Sequence, residues 1–220
     1  MKINKASFDF LLGLKENNNR EWFQEHKAAY DAAHKNVIEF IEAIIQRLAE
    51  LDPHIHTDIS AKKCLFRIYR DVRFSKNKDP YKSWFAAGIS VDGRKLAGPE
   101  YYIHIAPEET FLAVGYWRPE KQHLEAIRQE IDYNAKGLFE SLEKGGWKPE
   151  NMSGEDKLSR PPAGYTADHE HIDILKHRSF ILSKNISRKE MESNKALDIV
   201  IKTYESMIPF KQFIHTALDQ

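Results

Sequence analysis

The sequence predicts an α+β fold, in which a central antiparallel β-meander over about residues 64–117 carries helices from both chain ends packed on it. Three observations support this. Apolar residues recur at helical spacing on both sides of the middle of the chain. Between Lys63 and about Trp117 the period changes to alternation, with β-branched and aromatic residues enriched. The connections between the alternating segments are short, which favours antiparallel neighbours.

Taken in order, Ser7 to Leu14 reads as a short helix, and Asn17, Asn18 and Asn19 supply a break and an N-cap for the next, Arg20 to about Lys27. From Asp31 to Leu51, the residues Val37, Ile38, Ile41, Ile44, Ile45 and Leu48 mark one core-facing stripe, and Pro53 ends that helix. Four strands follow, roughly Cys64 to Phe74, Trp84 to Val91, Glu100 to Ala106 and Thr110 to Trp117. Asp92-Gly93 and Pro107-Glu108-Glu109 are the turn signals between the later ones. Helical periodicity returns after Pro119 through Leu124, Ile127 and Ile131, then through Leu138, Phe139 and Leu142 before Gly145-Gly146. Pro149 to Gly164 reads as a loop and Ser179 to Ile186 as a strand, and Ser187 to Met207 and Pro209 to Leu218 read as helices. The tail after Gly164 is too small to fold alone, so a single domain over residues 1–220 is expected.

Thirty-three basic residues balance 33 acidic ones, so the whole molecule exerts no net pull on a polyanion, and any such attraction must be local. Cys64 is the lone cysteine, which excludes an internal disulfide; at the start of an apolar run it reads as a core residue. The apolar stretch Phe10-Leu11-Leu12 is too short for an export signal. The most apolar helix is interrupted by Glu39, Glu42, Gln46, Arg47 and Glu50, which suits no membrane span. The expectation is a cytoplasmic protein with no membrane partner.

The neutral total hides a local asymmetry. Between Ser60 and Lys95 stand ten basic residues (Lys62, Lys63, Arg67, Arg70, Arg73, Lys76, Lys78, Lys82, Arg94 and Lys95) against Asp71, Asp79 and Asp92. Strand alternation places Arg70 with Phe66, Ile68, Val72 and Phe74, and places Leu65, Arg67, Tyr69, Asp71 and Arg73 on the other face. An arginine on an apolar face must be paired, reach out through a bulge, or line a pocket. The turn from Ser75 to Lys82 adds donors around the rigid Pro80, and arginine forks match phosphate and carboxylate oxygens two bonds at a time. Arg67, Arg70, Arg73, Lys76 and Lys82 are therefore candidate anion ligands of a basic β-hairpin. Arg20, Trp22, His26, Tyr69, Asp71, Tyr81, His104, Asp168 and His169 are candidate pocket-lining residues. Trp22, His26 and Tyr30, four apart, would stack on one helix face, as core packing or as a wall that offers His26 as a donor or general acid. The competing reading is structural, with solvated charges and Arg70 or Arg73 held by Asp71, Asp79 or a helix glutamate.

The chain resembles the family of conserved proteins catalogued as domain of unknown function 2461. The resemblance rests on Asn18-Asn19-Arg20-Glu21-Trp22-Phe23 with His26-Lys27 and Tyr30, and on Arg67 to Lys76 with Pro80-Tyr81-Lys82. Gly98-Pro99 with Tyr101-Tyr102 and His104, and Asp168-His169, extend it over most of the chain. The chain departs from the pattern at Glu170, where the family has proline. The resemblance implies one family-wide domain and brings no activity with it.

Two histidine–carboxylate clusters, Asp52/His54/His56/Asp58 and Asp168/His169/His171/Asp173/His177, lack a recognised ligand spacing, so no metal is expected. No cofactor is implied either, because phosphate-binding glycine loops, a nucleophile elbow, paired cysteines and kinase motifs are all missing from the sequence. The residues favour a small anionic, phosphate-bearing ligand at the basic hairpin, with or without catalysis upon it. One alternative is a nucleic-acid-binding module in which Tyr69, Phe74, Tyr81 and Trp84 stack on bases. The other is an interaction domain whose basic hairpin meets an acidic partner. The sequence names no reaction and no oligomeric state.

Overall fold

Helix α1 (Lys5–Glu16) buries Phe8, Leu11 and Leu14, spaced three residues apart along one face. Asn19 then caps α2 (Arg20–Glu25), its side-chain oxygen accepting the Trp22 N–H at 2.9 Å. A break at His26 leads into α3 (Lys27–Ala49), which buries Val37, Phe40, Ile41, Ile44, Ile45 and Leu48. One-turn α4 (Ala61–Cys64) precedes β1 (Phe85–Ile89), β2 (Val91–Arg94), β3 (Glu100–Ile105) and β4 (Phe111–Tyr116). The chain continues through α5 (Lys121–Tyr133), α6 (Ala135–Lys144), α7 (Ile172–Leu175), β5 (Phe180–Asn185), α8 (Arg188–Met191) and α9 (Ala196–Leu218). Antiparallel β1, β3, β4 and β5 form one four-stranded sheet in that order, so the fold is α+β. This computed structural model describes residues 1–94 and 97–219, apart from the side chains of Asp92 and Arg94. Those two side chains and Lys95, all counted in the basic stretch, lie outside the described residues.

The chain divides into two compact units, one of Met1–Arg94, Tyr102–Leu112 and Asn185–Lys202, the other of Lys95–Tyr101, Ala113–Lys184 and Thr203–Gln220. In the first, α1 packs along α3 and Asn36 ties down the chain start. Its Oδ1 accepts from Asn4 N–H at 2.8 Å and Ser7 Oγ at 3.0 Å, and its Nδ2 donates to the Lys2 carbonyl at 3.1 Å. In the second, the buried Arg128 of α5 donates to the carbonyls of Leu175 and His177, satisfying acceptors at the end of α7. Gly115 on β4 has φ +136°, and a Cβ there would come within 2.0 Å of the Phe180 carbonyl oxygen, so only glycine fits.

Several expectations need correction. Cys64 to Phe74 is not a strand. It pairs with the following segment only through isolated antiparallel bridges, Leu65 with Ala87 and Tyr69 with Tyr81. The helix expected at Ser187 to Met207 breaks after α8, which a Ser187–Glu190 capping box starts. Conversely, Pro209 does not begin a new helix. It lies inside α9, where burial of Tyr204, Met207, Phe210, Phe213 and Ile214 holds the helix through the missing hydrogen bond. Finally, the break at His26 prevents one Trp22–His26–Tyr30 stack: Trp22 and His26 stack at 3.9 Å, while Tyr30 turns to Phe10, Phe23 and His34. The turn expected at Asp92-Gly93 falls inside β2, and the chain reverses one residue earlier, where Gly93 N–H bonds to the Ser90 carbonyl at 3.2 Å; Gly93 has a positive φ of 71°.

Candidate functional site

Although it is no regular strand, the basic segment folds back on itself as a hairpin. Phe66 N–H bonds to the Ala86 carbonyl at 2.9 Å, Lys82 N–H to Ile68 at 2.8 Å and Arg70 N–H to Pro80 at 2.9 Å, leaving residues 71–79 as the tip. The expected alternation survives in the burial: Ile68 is buried and Phe66, Arg70 and Val72 are half-buried, whereas Arg67, Tyr69, Asp71 and Arg73 are exposed. It fails at Phe74, which is 95% exposed at the tip, and at Leu65, which is buried.

A cavity of about 320 Å³ lies between this hairpin and α2, lined by Arg20, Gln24, Tyr69, Arg70, Val72, Pro80 and Tyr81. Arg20 and Gln24, four residues apart, project from one face of α2. Tyr81 is fixed as its floor, since Phe23 stacks on its ring at 4.1 Å and Asn18 grips its backbone. Burial pushes the Tyr81 phenol above its ordinary range; the Tyr69 phenol adds to the rise and the Arg20 guanidinium opposes it. Burial, reinforced by Tyr69, likewise raises Tyr30.

Two arginines of the hairpin differ in how they are held. Arg73 is a closed ion pair: its Nε and Nη2 donate to the two Asp71 oxygens at 3.0 and 2.7 Å, and its N–H reaches the same carboxylate at 3.3 Å. Those bonds drive the Asp71 carboxyl down to about 2. Among the described residues Arg70, with its side chain 25% exposed in the cavity wall, makes only long contacts, 3.8 Å to Asp79 Oδ2 and 3.5 Å to Ser75 Oγ. Arg70 forms part of the cavity lining, which Ser75 and Asp79 do not.

Of the other sequence-expected residues, Lys82 donates to the Arg67 carbonyl at 2.5 Å, and Arg67 and Lys76 lie exposed on the hairpin. His26 donates Nδ1 to the Trp22 carbonyl at 2.8 Å, and neither residue lines the cavity. His104 stands on β3 among other rings. Asp168 and His169 belong to the second unit. There, His169 sets Nε2 2.8 Å from Asp132 while its Nδ1 accepts the His171 N–H at 3.0 Å, so both ring nitrogens are engaged. Sequence reasoning missed Gln24, Val72 and Pro80 as lining and Asn18 as a support. Gln24 was legible from its four-residue offset to Arg20. A second cavity, about 550 Å³ and lined by residues including Glu42, Gln46, Thr57 and Lys62, contains no arginine.

The family model described as Conserved hypothetical protein (DUF2461) matches residues 6–213. The chain belongs to this family. The match covers nearly the whole chain, including α2, the hairpin and the cavity between them. No curated protein and no solved structure matches the chain. Among the described residues, no helix of this family member is long and apolar enough to cross a membrane, and no group of three or more His, Cys, Asp or Glu side chains converges as a metal site would require.

Proposed function

We propose that the cavity between α2 and the basic hairpin binds a small phosphate-bearing anion, with Arg70 as its anchor and Arg20 as a second cation. One observation supports this reading: among the described residues Arg70, half-buried in the cavity wall, has only long contacts, to Ser75 and Asp79, while Arg73, exposed and outside the lining, holds Asp71 in a two-bond pair. A planar guanidinium with loosely held donors offers two parallel bonds to a phosphoryl oxygen pair. Gln24 and Tyr69, also in the lining, supply neutral donors. The volume suits a small organic phosphate. Lys76, Lys82, Arg67 and Arg73 then contribute to the field around the mouth.

The test is a thermal melt of the purified chain with inorganic phosphate, pyrophosphate and a sugar phosphate, against chloride at matched ionic strength. A ligand that binds only the native state raises the melting temperature by mass action. The expected result is a phosphate-dependent rise that chloride does not reproduce and that Arg70→Ala abolishes. An unmoved curve at millimolar anion overturns the reading.

A further inference from the structure

In the first unit, burial alternates along β3, whereas β1 is buried at every position. Phe85 of β1 meets Tyr30 and His34 of α3, so its predecessor Trp84 points the other way. On β3, Ile103 and Ile105 are fully buried while Tyr102 and His104 are half-buried, and on neighbouring β4 Phe111 is half-buried too. These residues meet as one continuous aromatic layer. Trp84 and His104 are 4.8 Å apart between ring centres, His104 and Phe111 lie 5.0 Å apart and nearly parallel at 12°, and Tyr102 and Phe111 lie 5.7 Å apart. Phe66 of the hairpin closes the layer edge-on against Trp84 at 6.5 Å and Tyr102 at 6.2 Å. Five partly exposed rings, Phe66 of the hairpin, Trp84 just before β1, Tyr102 and His104 of β3 and Phe111 of β4, form a surface cluster instead of a core, because none is withdrawn from solvent as their strand neighbours are.

The rim carries positive charge. The Lys82 ammonium sits 5.1 Å from the Trp84 ring centre and 5.9 Å from that of Phe66, anchored on the Arg67 carbonyl, with the Arg67 side chain exposed. Burial lowers His104 from its ordinary value, so at neutral pH it adds an uncharged ring. A cluster of aromatic rings, near-parallel at His104 and Phe111 and tilted by 37–73° at the other pairs, with a cation on its edge, suits one polymer chemistry, in which planar rings stack and phosphates follow the rim. We propose that this sheet face binds single-stranded nucleic acid by stacking bases on Trp84, His104 and Phe111, with Lys82 taking a backbone phosphate. None of these rings lines the Arg70 cavity, and Lys82 and Arg67 are the groups that the two readings share.

Binding of a fluorescein-labelled ten-nucleotide oligothymidylate, followed by anisotropy, tests this. An abasic oligomer of equal phosphate number should bind at least about tenfold more weakly, since each stacked base contributes roughly a tenfold factor. Trp84→Ala and Phe111→Ala should each weaken binding by about tenfold, while Trp84→Phe, which keeps a ring, should stay within about threefold of the parent. Should Trp84→Ala fail to fold, Trp84→Phe and Phe111→Ala still decide the matter. Arg70→Ala should leave oligonucleotide affinity unchanged, which separates this surface from the anion cavity. Absence of binding, equal affinity for the abasic oligomer, or loss on Arg70→Ala with none on Phe111→Ala would overturn the proposal.

Discussion

The side-chain amide of Asn18 takes both backbone groups of Tyr81: its Oδ1 accepts the Tyr81 N–H at 3.1 Å and its Nδ2 donates to the Tyr81 carbonyl at 3.0 Å. One residue thus does locally what a neighbouring strand would do, at the point where the hairpin lacks one. Asn18→Ala leaves a part-buried donor and acceptor without protein partners, and should cost about 1–3 kcal/mol in urea unfolding. If the Tyr81 floor of the cavity matters to ligand binding, the phosphate-induced rise in melting temperature should shrink as well. Unchanged unfolding would show that water replaces the clamp without loss.

Arg70→Lys keeps the charge and forfeits the fork. Phosphate affinity, read by isothermal titration, should fall by roughly 1.5–3 kcal/mol while apo stability hardly moves, since Arg70 gives up only two long contacts. Arg73→Lys, at a residue already closed on Asp71, should leave the affinity nearly intact. Equal losses for both variants would dissolve the distinction between them.

Asp79 lies 3.8 Å from Arg70 and is half-exposed, so its carboxylate competes with any entering anion. Asp79→Asn should tighten phosphate binding about two- to fivefold at low salt, with the gain vanishing as ionic strength rises. Weaker binding in the variant would mean that Asp79 orients Arg70 instead of competing for it.

Burial pushes the Glu100 carboxyl up to about 7 from an ordinary 4.5. Below pH 4.5 the group is protonated in both folded and unfolded chains, and full stability is present. As pH rises from 4.5 to 7, the unfolded chain releases the proton while the folded one holds it, so stability is lost, on the order of 2–3 kcal/mol by pH 8. Glu100→Gln should remove that slope, and melting of both proteins at pH 5 and pH 8 checks it. Parallel pH profiles for parent and variant would place the proton elsewhere.

The parts of the fold that follow local periodicity were legible. α1, α3 and the β3 and β4 strands lie close to where apolar spacing puts them, because one face of each must be buried. The hairpin was half legible. Its side chains alternate as a strand would require, yet its backbone is bridged at only two points, because a side chain, Asn18, supplies pairing that no strand offers. That contact spans 63 residues and leaves no local pattern. Tyr81 shows the same limit. Its sequence neighbours suggest an open, base-stacking ring, whereas Phe23, distant in sequence, stacks on it and buries it. At Arg70 and Arg73, spacing raised both as candidates, and only the side-chain geometry of Asp71 and Asp79 separates them.

The closure of Arg73 on Asp71 also changes how the hairpin looks from a distance. Two opposite charges 2.7 Å apart act on an approaching anion as a dipole, whose pull fades faster with separation than that of a lone cation. At physiological salt, where fields are screened over about 8 Å, little of that pair's attraction reaches beyond the first hydration layers. A count of the basic residues therefore overstates the long-range attraction of this surface, and ligands must be chosen largely by contact once they have arrived. Charge density alone would then recruit few polyanions, and the molecule could keep a strongly basic segment without becoming a general trap for them.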